Sequence, residues 1–454
     1  MKKPNIVLLT IDALRADRLG CYGHPTSLTP NMDRLASQGI RFDQAITGGS
    51  WTQAAFPVLL TSTYASMYGG CLGNLSPERP SPIERLASNG YRTAGFSSNP
   101  WLSKTYGYDR GFDDFFDIEP DVTPPLVSQV RGGQFLLRNP WIHYGFHLLG
   151  KMLKPPQPYP SGANVNEKVY DWIGKADQPF FAWIHYMDVH WPYHLEQRLV
   201  HPIDLAQAWR DQADFYNLNW RGRHLSQARI NYFIRLYEFA VSYADHQVGQ
   251  LLISLQKFGI LDNTIFMLLS DHGEEFLERR HWGHVEVNLH DEILKVPLII
   301  RLPRVVKPKT VFRQVSTLDL MPTVLDLCDC TLPEGVLGTS LVPLWTGREG
   351  EYREREAICE RWRDNSHMVA LRTPDYKYIW NADSPDQAEV YDLKSDPGER
   401  HNVKEQHPEQ ASRFQQALDA HLRQIAQTNL LNQTSALEID DRMQARLRDL
   451  GYVE

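Results

Sequence analysis

Asp271, His272 and Glu274 stand together in Asp271-His-Gly-Glu274, directly after the apolar run Thr264-Ile-Phe-Met-Leu-Leu-Ser270. A carboxylate beside an imidazole offers one oxygen and one nitrogen donor, and the simplest chemistry for that pair is to hold a metal ion. Asp12 repeats the arrangement after a second run, Asn5-Ile-Val-Leu-Leu-Thr-Ile11. Two buried strands that end in carboxylates can present both to one cation. Between them lies Thr52, after the turn-rich Gly48-Gly-Ser-Trp51. Each residue also has a plainer use: Asp271 as a helix cap, His272 as a packed ring, Thr52 as an N-cap.

The elements that must position these residues follow from the pattern of apolar positions. Both runs are apolar throughout, which predicts strands covered on both faces, and an open α/β sheet keeps its chemistry at the carboxyl ends of such strands. Residues 54–61 predict a helix with Pro57 in its first turn, where proline is tolerated. Thr52 then lies at or just before a helix N-terminus, whose free amides and dipole suit an anionic group. Residues 81–90 predict a short helix closed by Gly90, followed by a strand over 91–97. Residues 227–257 carry Ile230, Phe233, Ile234, Tyr237, Val241, Ala244, Val248, Leu251 and Leu252 at helical spacing, a long amphipathic helix whose aromatic stripe belongs to the core.

The alternation of strands and helices up to about residue 345 predicts an α/β fold with a large, mainly parallel sheet and helices on both faces. After Gly347, short strands over 368–372, 376–380 and 389–393 and a helix over 408–426 predict a small antiparallel sheet with a covering helix. The expected organisation is a catalytic domain over 1–347 and a small α+β subdomain with a helical tail over 348–454. Two insertions, 120–160 and 201–225, are rich in aromatic residues, among them Trp141, Tyr144, Trp209, Tyr216 and Trp220. They read either as lids over an apolar or sugar-like substrate or as an oligomer contact.

Composition narrows the class. A chain of 454 residues with 42% hydrophobic content can bury a large core. Its net charge of −8 carries no electrostatic footprint for nucleic acid. Five cysteines without C-x-x-C spacing argue against a disulfide framework and for a reducing compartment. Met1-Lys-Lys3 imitates the start of a signal peptide, but the following apolar run ends at Asp12, and cleavage there would remove a proposed ligand. No segment approaches the roughly 18 continuous apolar residues of a membrane span. A cytoplasmic enzyme is the expectation.

Several further motifs fall in a recognisable order: Leu19-Gly-Cys-Tyr-Gly23, Leu59-Leu-Thr61, Gly90-Tyr-Arg-Thr93, Asp188-Val-His-Trp-Pro-Tyr193, Trp282-Gly-His284, Val390-Tyr-Asp-Leu393 and Asp396-Pro-Gly-Glu-Arg400. With Pro4 to Asp12 and Ser270 to Glu274, they make the chain resemble the sulfatase family of the alkaline-phosphatase superfamily. The resemblance implies an alkaline-phosphatase-like fold and makes Asp12, Asp271 and His272 metal ligands. It places Thr52 where sulfatases carry the cysteine or serine that becomes formylglycine, and His190 and His284 where relatives contact the substrate. The usual Cys/Ser-x-Pro-x-Arg reads Thr52-Gln-Ala-Ala-Phe56 here, and Ala13 stands where many sulfatases have a second aspartate. No formylglycine is therefore expected, and Thr52 becomes an unmodified nucleophile and fourth ligand.

The chemistry can be rebuilt from these residues. A threonine hydroxyl needs a base or a metal to lower its pKa. His190 and His284 then neutralise oxygens of the transition state or protonate the leaving group. One ion is expected, Zn²⁺ or Mn²⁺ before Ca²⁺ because of the imidazole; a second, from Asp188, His190, His281 and His284, is the alternative. The expected activity is hydrolysis of a sulfate or phosphate ester, with a phosphotransferase or mutase using the same threonine, or a silent binding protein, as rivals.

Overall fold

The computed structural model describes residues 3–69, 74–119, 159–176, 179–193, most of 207–219, 224–284, 288–303, 307–363 and 366–431. Nearly all of the insertion over 120–160, much of that over 201–225, and the tail beyond 431 lie outside the described residues.

Among the described residues the main sheet has eight strands: β1 (Asn5–Ile11), β2 (Ile40–Ile46), β3 (Arg92–Ser97), β4 (Asp114–Asp117), β5 (Phe180–Tyr186), β6 (Thr264–Ser270), β9 (Lys295–Arg301) and β10 (Lys309–Ser316). Their order is β10-β2-β9-β6-β1-β5-β3-β4. β1 sits between β5 and β6 and is parallel to both. β9 alone runs against its neighbours β2 and β6, so the sheet is mixed, as expected of this fold class.

The two apolar runs are central strands because both faces are covered. Val7, Leu9 and Ile11 join a core with α4 (Gly162–Ile173) and α5 (Gln227–Lys257), while Ile6 and Leu8 join the opposite core with α2 (Thr52–Thr61), α3 (Pro82–Ser88) and α7 (Leu320–Leu327). All five of these β1 side chains are fully buried, which together stabilises the fold by on the order of 10 kcal/mol relative to leaving them in water. The stripe of α5 is buried as expected, from Phe233 through Tyr237, Val241, Ala244 and Val248 to Leu251.

α2 begins at Thr52 rather than at 54, so Pro57 lies inside the helix and not in its first turn. The two added residues are admitted because Trp51 is extended and serves as N-cap, its carbonyl accepting from both Ala54 and Ala55.

The small sheet is antiparallel, ordered β11 (Ala357–Arg363), β12 (Ser366–Arg372), β13 (Tyr376–Asn381) and β14 (Glu389–Asp392). One face packs under α8 (Pro408–Leu431) through Val369, Leu371, Tyr378, Val390, Phe414 and Leu418. The other packs through Met368, Ala370 and Ile379 against Ile46 of β2 and against Ile293 and Leu294 in the short helix Asp291–Leu294 that leads into β9. β11 is a strand beyond the three expected, hidden in the sequence by its charges. Glu360 is fully buried, and its carboxylate is satisfied by Ser66 and His421. A two-residue hairpin, β7 (Glu275–Phe276) with β8 (Trp282–Gly283), stands beside the carboxyl end of β6. Among the described residues, no helix is long and apolar enough to cross a membrane.

Candidate active site

Asp12 emerges where β1 stops pairing. Its own amide donates to Tyr186 O at 2.9 Å, and Ala13 turns the chain with φ +57°. That left-handed backbone is uncommon for alanine, and three bonds hold it. The Ala13 amide donates to Asp271 Oδ1 at 3.3 Å, Leu14 N donates to Ser270 Oγ at 2.9 Å, and Tyr237 on α5 donates its hydroxyl to Ala13 O at 2.7 Å. The aromatic stripe of α5 is thus core with one polar handle on the site.

Asp271 and His272 leave β6 at the matching level. The Asp271 carbonyl accepts from Thr47 Oγ1 at 2.5 Å. The His272 ring is turned by a 2.9 Å contact of Nδ1 with Gly273 O, which directs Nε2 toward Asp12 Oδ1 at 3.6 Å and Asp271 Oδ2 at 3.5 Å. Gly273 is required here, because a Cβ would sit 2.1 Å from the carbonyl oxygen of Glu292. Gly49 plays the same part before α2, where a Cβ would lie 2.2 Å from the backbone of Ala54. Thr52 Oγ1 then donates to Asp12 Oδ2 at 3.3 Å and lies 3.5 Å from His272 Nε2.

Asp12, Asp271 and His272 bring their ligand atoms within 4.8 Å of one another, all buried. Asp12 Oδ1 and Asp271 Oδ2 have no hydrogen-bond partner. Two desolvated carboxylate oxygens left unpaired beside an imidazole are costly by themselves and match the donor set of a divalent cation. The electrostatics agree. Burial alone would raise the pKa of Asp12, but the imidazoles of His190, His185 and His272 outweigh it and hold the group below the usual carboxylate range. Burial and the neighbouring Asp12 push Asp271 well up, and burial followed by His284 brings His272 down to about 3.

His284 and His190 close the cluster. The His284 ring lies 4.2 Å from that of His272 and 4.9 Å from that of His190. Nδ1 of His284 is 2.8 Å from Glu274 Oε1, and Nδ1 of His190 is 2.7 Å from the Tyr159 hydroxyl. Asp12, Thr52, His190, Asp271, His272 and His284 therefore sit in one constellation. Asp188 does not join it: both of its oxygens accept from Gly162 N at the start of α4, at 2.9 Å.

Two neighbours escaped the sequence reading. His185 Nε2 lies 3.4 Å from Asp12 Oδ2, and Asn99 Nδ2 donates to the same oxygen at 3.3 Å. His185 directly follows the apolar run over 179–184, so the rule that singled out Asp12 would have found it. Asn99 lies two residues beyond the end of β3 and carries no such signal. Phe56, where the resemblance expects an arginine, packs edge-on against His185 with ring centroids 5.0 Å apart.

Comparison with known proteins agrees with this architecture. The family model described as Sulfatase matches residues 4–330, and one described as N-sulphoglucosamine sulphohydrolase, C-terminal, matches 282–428. The chain is 25% identical to an N-acetylglucosamine-6-O-sulfatase of Bacteroides thetaiotaomicron over 88% of its length and 83% of the relative. It is 25% identical to an arylsulfatase of Clostridium perfringens over 88% and 90%. Its fold superposes on the crystal structure of a phosphonate monoester hydrolase of Agrobacterium radiobacter with a TM-score of 0.71 and 22% identity, covering 94% and 96% of the two chains. With a family match over most of its length and the mixed sheet of the alkaline-phosphatase-like fold beneath it, the chain belongs to the sulfatase family and is an ester hydrolase.

Proposed function

We propose that the protein hydrolyses sulfate or phosphate esters with Thr52 as an unmodified nucleophile and with Asp12, Asp271, His272 and Thr52 around one divalent ion. The observation that carries this reading is the position of Thr52 Oγ1, at the first residue of α2 and between Asp12 Oδ2 and His272 Nε2. When bound, the cation would lower the pKa of the hydroxyl and balance negative charge on the ester. An imidazole in the ligand set favours Zn²⁺ or Mn²⁺ over Ca²⁺. The N-terminus of α2 would favour the negative charge of such an ester. His190 and His284 supply donors to the transferred group, and His284 is assigned the proton for the leaving oxygen.

Formylglycine sheds sulfate by collapse of a hydrated aldehyde, a route closed to threonine. A threonine ester must be cleared by water at phosphorus or sulfur, which favours phosphate esters at least as much as sulfates. The phosphonate monoester hydrolase among the fold's neighbours supports that range. Thr52→Ala should abolish turnover of a panel of aryl phosphates and sulfates, whereas Thr52→Ser should retain a measurable part. Intact mass should show residue 52 unmodified, and rapid quenching should trap a phosphorylated enzyme. Full activity in Thr52→Ala, or aryl sulfate cleavage without any phosphatase activity, would overturn the mechanism.

A further inference from the structure

Where the small sheet meets the main one lies a cavity of about 850 Å³, and neither Thr52 nor any of Asp12, Asp271 and His272 lines it. That volume falls within the range of about 300–1,000 Å³ of small-molecule sites. The wall backs onto the turn after His272: Arg15 Nη1 donates to Glu274 O at 2.8 Å, and Glu292 O accepts from Glu274 N at 3.2 Å.

The wall is charged, and most of its charge is already balanced. Arg15 holds Asp17 at 2.8 Å and Glu278 at 2.7 Å. Arg279 holds Glu292 at 3.0 Å, and Arg372 holds Asp291 at 2.9 Å. Asp43 on β2 is paired with Arg41 at 3.0 Å. Among the described residues, every carboxylate of the wall thus has a cation. Two cations of the wall have no such partner: no hydrogen bond or ion pair from the described residues reaches Lys295 Nζ or the Arg400 guanidinium.

Both cations stand on fixed backbone. Lys295 opens β9 in register with Ile46 of β2. Arg400 follows Glu399, whose left-handed backbone, φ +52°, is uncommon outside glycine. The Glu399 carbonyl accepts from Arg279 Nη1 and its carboxylate from Asp291 N, both at 2.7 Å. A strained turn that its surroundings over-determine is a mark of ligand sites, and this one delivers Arg400 to the cavity wall.

Two unpaired cations in one cavity select an anion, and a guanidinium matches the oxygens of a phosphate or sulfate. The paired carboxylates keep lone pairs for hydroxyl donors. We infer that this cavity is a second binding site, separate from Thr52, for a small polyhydroxylated molecule carrying a phosphate or sulfate group. Lys295 and Arg400 hold the anionic group, and the paired carboxylates accept from the hydroxyls.

The test uses the full-length protein with its divalent ion and reads Lys295 itself. Acetylation of each lysine by acetic anhydride is followed by peptide mass spectrometry, with glucose 6-phosphate, glucose 6-sulfate, glucose or inorganic phosphate added, and exposed Lys257 is the reference. At ten times its Kd a charged sugar should slow Lys295 about tenfold and leave Lys257 unchanged; the tighter of the two identifies the group. In Arg400→Gln the concentration that gives half-protection should rise about tenfold or more, while kcat for aryl esters stays at the wild-type value. The protection should persist in Thr52→Ala, because residue 52 is outside the cavity. No protection by either charged sugar, equal protection by glucose, or undiminished protection in Arg400→Gln would overturn the inference. So would loss of protection in Thr52→Ala, or a fall of kcat in Arg400→Gln, since either would merge the cavity with the active site. Inorganic phosphate that protects as well as glucose 6-phosphate would overturn the polyhydroxylated ligand.

Discussion

Asp12 and Asp271 face one another in a buried site where each has an oxygen without a hydrogen bond. At such separations two like charges repel by about 4 kcal/mol at an effective dielectric of 20, and a cation turns that cost into a binding energy. Two outcomes of opposite sign follow for Asp271→Asn. With the divalent ion present the variant should bind little metal and lose activity, and its melting temperature should no longer rise on adding Zn²⁺ or Mn²⁺. After exhaustive chelation it should be at least as stable as the chelated wild type, because the repulsion has been removed. Metal analysis and calorimetry of both proteins check this; a full complement of metal in Asp271→Asn would move the site elsewhere.

At the scale of elements, one residue of the small sheet clasps the helix that begins at Thr52 from both sides. The backbone of Glu360 in β11 bonds Gly48 and Ser50 just before α2, at 3.0 and 3.4 Å, and its carboxylate accepts from Ser66 N and Oγ just after it, at 3.0 and 2.6 Å. His421 on α8 completes the clasp at 2.7 Å. Burial alone would raise the pKa of Glu360, but the hydrogen bond and charge of His421, then the charge of His367 and the hydrogen bond from Ser66, outweigh it and bring the group from 4.5 to about 2. The sign of the linkage follows from this depression. Above about pH 4.5 the carboxylate is ionised in both states and its full contribution, about 3 kcal/mol, is present; between there and about pH 2 the unfolded chain takes up the proton first and the contribution is lost. Glu360→Gln should therefore be less stable than wild type at pH 6, and the gap should close as pH falls from 4.5 toward 2. Denaturant unfolding at pH 6, 4 and 3 measures it, and a gap independent of pH would rule out the charge as its source.

Across the whole molecule, the C-terminal helix is coupled to the site through packing. Phe414 and Leu418 on α8 fill the outer face of the small sheet, and Ile425 reaches Val58, Tyr64 and Met67 at the far end of α2. Leu418 is fully buried, so Leu418→Ala should destabilise the protein by about 2–5 kcal/mol. Activity should then be lost at a lower temperature, while kcat per folded molecule at 25 °C stays near the wild-type value. Denaturant unfolding and thermal inactivation curves test both statements. An unchanged midpoint would show that α8 is not part of the cooperative core.

What the sequence alone determined was carried by local pattern. The two apolar runs announced central strands, their terminal Asp12, Asp271 and His272 announced a metal-type cluster, and the ordered motifs announced the family. These were legible because strand burial and the carboxyl-end rule act within a few residues of each position. Other features depended on groups far apart in the chain. His185 and Asn99 reach Asp12 only because β5 and β3 lie on that side of β1. β11 was unreadable because a buried Glu360 is tolerable only with Ser66 and His421 in place, 294 and 61 residues away in sequence. The start of α2 shifted because extended Trp51 caps it ahead of Pro57. Glu274 became a partner of His284 only when the β7–β8 hairpin folded one onto the other. Tertiary structure decided these points because a buried polar group is defined by the partner that satisfies it, and sequence spacing does not name that partner.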